Sequence, residues 1–254
     1  QNYSYGELFN EINIATGGMA CVNNVYTQVE DPGRYKVTLE LKTKVLYENL
    51  KQAFDLFYEI MFTSVFQDKK RLKEIISEAR SRLQGQMMSA GHSVAVNRAL
   101  SYFSPAAVLN EELSGITFFK RVEQWEENFE QESDRISTKL QQLARQIFRK
   151  ENLMIDYAAE EKAYPLLLPC IRELKEKLYT GTVAKGQFEP VPVKRQEGFK
   201  SSSQVQYVAY AGNYRKKGFS YTGALKVLKV MMGYDYLWNQ VRVKGGAYGC
   251  MCNF

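Results

Sequence analysis

The chain has 254 residues, 45% of them hydrophobic and 24% charged, a balance that excludes a disordered chain and allows one or two domains with a real core. Its formal net charge is +6, but the cations are interleaved with glutamates, and the densest runs are only Lys69-Lys70-Arg71, Lys194-Arg195 and Arg215-Lys216-Lys217. Without a basic block no nucleic acid is expected as a partner, and no stretch approaches the roughly 20 apolar residues of a membrane span.

In chain order, Tyr5 to Ile12 reads as the end of a helix, and Ile12, Ile14 and Thr16 alternate towards Gly17-Gly18 as a strand does. Cys21 to Gln28 predicts a second strand, and Asp31-Pro32-Gly33-Arg34 has turn chemistry. Tyr35 to Thr43 alternates apolar with polar residues throughout and predicts the clearest strand, so an antiparallel meander with one solvated face is expected. Leu46, Leu50, Ala53, Phe54, Phe57, Ile60 and Met61 mark one helical stripe, and Leu72, Ile75, Ile76, Ala79 and Leu83 mark another. At that spacing they are core faces, not cofactor boxes. Val94 to Leu113 predicts shorter helices broken at Ser104-Pro105, with Ser104 as a cap, and Ser114-Gly115 ends the segment. A long helix is expected from Phe129 to Lys150, with Ile136, Leu140, Leu143, Ala144 and Ile147 facing inward. Leu153 to Tyr157 predicts a short strand, and Pro165 to Leu178 a further helix.

From Tyr179 to Ser203 glycine, proline and serine accumulate, the composition of a linker. Val205 to Tyr210 then predicts a strand, Thr222 to Val241 a helix, and Ala247 onward another strand. The order of elements is α+β: an antiparallel sheet packed against a layer of helices. The expected organisation is a domain over 1–180, a linker over 181–203 and the start of a second, truncated α+β domain over 204–254. The chain opens on Gln1 and stops at Phe254 inside an expected strand, so it is expected to be an excised piece.

Cys21, Cys170, Cys250 and Cys252 fit no C-x2-C zinc site and no dense disulfide framework, and are expected to be buried, reduced thiols of a cytoplasmic protein. His92 is the single histidine. A catalytic zinc usually takes two or three His or carboxylate ligands, so no metal site is expected in this chain, and His92 reads as a packed or capping residue.

The residues with the most chemistry lie near the end, in Arg242-Val243-Lys244-Gly245-Gly246-Ala247-Tyr248-Gly249. Arg242 carries a fork of donors, Tyr248 a hydroxyl, and Gly245-Gly246 allow a positive φ or a close backbone approach. The cluster can grip a substrate but holds nothing that cuts one. The plain structural reading of the same residues is a satisfied buried Arg and a core Tyr at a helix–strand junction.

Leu237-Trp238-Asn239-Gln240-Val241 followed by that run resembles the late Arg/Tyr motif of the pitrilysin/insulinase superfamily, zinc peptidases with an inverted H-x-x-E-H motif. The segments Gly91-His92-Ser93-Val94-Ala95-Val96-Asn97-Arg98-Ala99-Leu100-Ser101-Tyr102-Phe103-Ser104 and Asn2-Tyr3-Ser4-Tyr5-Gly6-Glu7-Leu8 resemble the third domain of the presequence protease-like branch. The resemblance implies four homologous α+β domains of LuxS/pitrilysin type, in two halves that close around a peptide. Zinc, its ligands and the general base would lie on the N-terminal half. This chain would be most of the third domain, without its first strand and helix, and the start of the fourth. It would contribute catalytic Arg242 and Tyr248 and the substrate-binding turn Gly245-Gly246. It has no H-x-x-E-H and would be inactive alone, with a peptide substrate and the N-terminal half as its partners. The alternative is a non-catalytic structural or partner-binding member of the same superfamily.

Overall fold

Ser4 opens the first helix through a reciprocal cap: its hydroxyl accepts from the Glu7 N–H, and the Glu7 carboxylate accepts from the Ser4 N–H at 2.7 Å. The resulting α1 runs Tyr5–Ala15, in a computed structural model that describes residues 2–31, 33–183, 186, 188–202 and 204–254. Ile12 and Ile14, expected in a strand, lie in this helix. A strong N-terminal cap outweighs three alternating residues, and Ile14 stays 74% exposed. The Asn2 segment is tied down separately, because Asn2 donates both its backbone N–H and its side-chain amide to the buried Glu59 carboxylate at 2.7 Å.

β1, Met19–Thr27, pairs antiparallel with β2, Tyr35–Thr43, from Met19 opposite Thr43 to Thr27 opposite Tyr35. The turn between them holds the predicted Asp31–Gly33 chemistry, the Asp31 carboxylate accepting from the Gly33 N–H at 3.0 Å, while Pro32 lies outside the described residues. The expected meander is thus a two-stranded sheet among the described residues, and the helices dominate. The chain is α+β, mostly helical.

The helices of the first compact unit, which extends to Tyr210, build the core. They are α2 (Leu50–Phe62), α3 (Lys69–Ser89), α4 (Gly91–Leu100), α5 (Pro105–Ser114), α6 (Ile116–Glu127), α7 (Phe129–Ile147) and α8 (Tyr164–Lys177). α3, α6 and α7 close around Ile76, Leu83, Val122, Phe129 and Ile136. α2 and α8 close around Leu50, Leu167 and Cys170, and around Met61, Leu174 and Leu178. Ser104 caps α5 as expected, accepting from the Ala107 N–H, with Pro105 in the first turn. α6 was not foreseen, although Ile116 and Val122 are among its buried residues. In α7, Ile136 is buried, but Leu143 is 47% and Ile147 37% exposed, so the inward stripe stops before the end of the helix. Leu153 to Tyr157 forms no strand; Leu153 and Tyr157 instead pack as side chains against the two α2–α8 clusters.

The second unit, Ala211–Phe254, carries α9 (Ala224–Met231), which continues without a break into a π-helix over Met232–Lys244. No described residue of this unit is buried. Neither Val205 to Tyr210 nor the segment after Ala247 forms a strand among the described residues; a strand needs a ladder partner.

Gly115, between α5 and α6, meets a hard steric limit. A Cβ there would lie 2.0 Å from Glu111 Oε2 and 2.9 Å from Glu111 Cα. Gly115→Ala is therefore expected to destabilise the protein by about 1–3 kcal/mol, the usual cost of overpacking. Urea unfolding checks this, and an unchanged midpoint counts against the tight seat of Glu111.

Candidate functional site

The terminal motif sits on the π-helix and the turn after it. In a π-helix each N–H bonds the carbonyl five residues back, a geometry frequent at functional sites. Its end is closed by Gly246 N–H to Arg242 C=O at 3.0 Å and Ala247 N–H to Val241 C=O at 3.1 Å. These two bonds have the nested form of a Schellman cap, each one residue longer than in an α-helix. Both glycines are required for separate reasons. Gly246 has φ +71°, the left-handed region. Gly245 has an ordinary φ of −86°, but a Cβ on it would lie 2.6 Å from the Val241 carbonyl oxygen.

This turn brings Arg242 and Tyr248 together, though not as two parallel donors. One guanidinium nitrogen of Arg242 donates to the backbone carbonyl of Tyr248. The guanidinium also lies over the Trp238 ring, 4.5 Å from its centroid. Arg242 is thus held from one side by an aromatic face one turn back and spends one donor on its own chain. The Tyr248 side chain is 92% exposed, with its backbone fixed and its ring projecting from the turn. The satisfied-core reading fails for Tyr248 and holds in part for Arg242. Of the four thiols expected to be buried only Cys170 is: Cys21 is exposed on β1, and Cys250 and Cys252 follow the turn half-buried.

His92 is exposed at the start of α4, its ring 6.2 Å from that of Tyr207, and it takes no part in a metal site. Among the described residues no three His, Cys, Asp or Glu side chains gather to hold a metal ion. A zinc ion does not fit the residues present.

A second constellation was invisible in the sequence. Arg98, on α4, donates Nε to Glu197 Oε1 at 2.6 Å and Nη1 to Glu111 Oε1 and Thr117 Oγ1, both at 3.2 Å. The Tyr102 hydroxyl donates to the same Glu197 oxygen at 2.5 Å. The guanidinium also lies 5.8 Å from the rings of both Tyr102 and Phe199, and Lys120 covers the Phe199 ring at 5.2 Å. Glu111 is only 3% exposed, and its Oε2 is buried without a hydrogen-bond partner against Gly115. Burial pulls Arg98 downward, but the Glu197 bond and the two carboxylate charges outweigh it and raise its pKa. The Arg98 hydrogen bond, helped by Tyr102 and by the charges of Arg98 and Arg195, holds Glu197 below the usual carboxylate value. Arg98 and Tyr102 were in plain view in the sequence; their partners 95 to 99 residues away were not.

With these geometries in place, the relatives become informative. The family described as Peptidase M-16C associated matches residues 1–124, and the PreP C-terminal domain family matches residues 196–254. The chain belongs to the presequence protease-like branch of the pitrilysin peptidases. Protein HypA of Clostridium perfringens is 34% identical over the whole of this chain and 26% of its own length. Presequence protease 1, chloroplastic/mitochondrial, of Arabidopsis thaliana is 26% identical over 78% of this chain and 18% of its own length. The mitochondrial presequence protease of Danio rerio is 26% identical over 96% of this chain and 26% of its own length. The chain therefore spans about a quarter or less of these relatives. No described helix is long and apolar enough to cross a membrane.

Glu197 gives a pH signature. Its folded pKa is depressed, so its contribution to stability is complete above the unfolded value of about 4.3 and is lost as pH falls through the folded value. The difference in unfolding free energy between the wild type and Glu197→Gln should be largest at neutral pH and shrink towards pH 3. A difference that stays constant with pH speaks against the Arg98–Glu197 pair.

Proposed function

We propose that this chain belongs to the C-terminal, substrate-binding half of a zinc-dependent oligopeptidase, acting on peptides together with an N-terminal half that holds the zinc. The observation that carries the reading is the Tyr248 side chain, 92% exposed on a turn whose backbone Arg242 fixes, in a chain that belongs to a peptidase family. In this reading residues 1–180 are a pitrilysin-like third domain, 181–203 a linker and 204–254 the start of a fourth. The four described thiols are free, which suits a reducing compartment such as the cytoplasm.

The chemistry proposed for this chain is donation to carbonyl oxygens. When a peptide carbonyl is attacked, negative charge develops on its oxygen. A hydroxyl held ready for that oxygen stabilises the transition state more than the ground state. Tyr248 is the donor aimed at substrate. Arg242 first positions Tyr248 through its carbonyl, and its remaining donors serve a neighbouring carbonyl of the peptide. Gly245 and Gly246 carry no side chains and let an extended peptide backbone pass close.

Tyr248→Phe in the full-length protein removes the hydroxyl and keeps the ring. Turnover is expected to fall about 10²–10³-fold, the effect of one lost oxyanion donor, with bound zinc unchanged. The present chain alone is expected to hydrolyse nothing. Steady-state hydrolysis of a fluorogenic peptide, with metal analysis of the same samples, checks both; full turnover by the variant overturns the role of Tyr248.

A further inference from the structure

Residues 181–203 read as linker by composition and Val205 to Tyr210 as a strand, but the described part of 197–207 is docked along α4 as a strap. Glu197 and Phe199 meet Arg98, Tyr102 and Lys120 near the C-terminal end of α4 and on α6. Ser202 bonds the Met88 sulfur at 4.0 Å at the end of α3. The Tyr207 ring lies on Gly91 at the start of α4, where a Cβ would come within 2.4 Å of it. The strap therefore runs opposite in direction to α4, gripped at both ends.

Its position in the sequence gives this docking a consequence. The Arg98 end lies inside the region matched by the first of the two families, and Glu197 begins the region matched by the PreP C-terminal domain. Upstream, the Gly181 carbonyl accepts from Arg149, and downstream the next helical turn begins at Tyr214. Docked through Tyr207, the tether leading to the second unit is residues 208–213; released, it extends from the residue after buried Pro190, 191–213, roughly four times longer. Effective concentration across a flexible tether falls as about the −3/2 power of its length, so release should lower it several-fold.

We infer that Arg98 is a positioning residue: by pinning the strap it shortens the tether that carries the Arg242–Tyr248 turn. This rests on the peptidase reading above for its effect on hydrolysis, but not for the docking itself. Arg98 touches no substrate; it acts through Glu197 and the chain that follows.

The test uses full-length protein with two readouts. Trypsin under native conditions, with cleavage sites mapped by mass spectrometry, reports the strap through Lys194, Arg195 and Lys200. Hydrolysis of a fluorogenic peptide reports the tether. Arg98→Ala strands the buried Glu111 carboxylate and can fail to fold, so the deciding variants are Glu197→Gln and Gly91→Ala, which act at opposite ends of the strap. Each is expected to raise the rate of cleavage after Lys200 and to lower kcat/KM, both several-fold, with bound zinc unchanged and the protein still folded at the assay temperature. Arg98→Lys, which keeps the charge beside Glu111 but loses the fork, should fall between wild type and Glu197→Gln in both. Faster cleavage with kcat/KM unchanged overturns the positioning role and leaves the peptidase reading standing. Cleavage unchanged in both variants overturns the strap itself. A wild-type protein that hydrolyses no peptide overturns the peptidase reading, and the cleavage readout then decides the strap alone.

Discussion

A guanidinium held out of water must be matched by anions, and Arg98 is matched by two. Glu111 comes from the neighbouring helix and is almost wholly buried; Glu197 comes from 99 residues along the chain. Removing one member of a buried ion pair typically costs about 3–5 kcal/mol, because the other is left charged and unpaired. That asymmetry makes Arg98 a junction rather than an ornament of α4. α4 donates, α5 supplies Glu111, α6 supplies Thr117, and the stretch expected as linker supplies Glu197. Exposed ion pairs such as Lys51–Asp55 and Arg71–Glu74, which join neighbours on one helix, contribute little each.

The same logic of close fit recurs at three glycines. Gly91 admits the Tyr207 ring, Gly115 admits the Glu111 carboxylate, and Gly245 admits the Val241 carbonyl. None of the three needs a positive φ; each is glycine because something else occupies the place of a side chain. Gly246 alone among them and their neighbours is required by its backbone, at φ +71°. The two stretches that carried the family resemblance in unit 1 are thereby explained physically. Asn2 to Glu7 is a helix cap and an anchor on Glu59, and Gly91 to Tyr102 is the seat of the strap. Both are scaffold, which separates them from the terminal motif.

What the sequence made legible were features whose causes are local. The β2 strand, the Ser104 cap, the ends of α5 and α8 and the need for two glycines at 245–246 all follow from neighbours within a few residues. What stayed hidden depended on distant partners. Ile12 and Ile14 alternate like a strand, yet Ser4 and Glu7 had already committed the chain to helix. The 197–203 stretch has linker composition and Val205 to Tyr210 that of a strand, and only contacts with Arg98 and Gly91 make 197–207 a strap. At the candidate site the residues were legible and their relation was not: the expected pair of parallel donors is instead an arginine bonded to the Tyr248 backbone carbonyl.

The second unit shows why that support must be local. Its helix leaves Val227, Val230, Tyr234 and Trp238 substantially exposed, and none of its described residues is buried. A unit of this size without a core cannot hold a side chain by packing, which elsewhere in the chain fixes rotamers through the α3–α6–α7 and α2–α8 clusters. Orientation there must come from covalent and near-neighbour devices: a widened helix end, two glycines with no freedom to be anything else, and an arginine braced on Trp238 while bonding the Tyr248 carbonyl. Those devices fix the backbone at Tyr248 but leave its ring in solvent. The turn therefore fixes where Tyr248 leaves the backbone and leaves the phenol itself exposed.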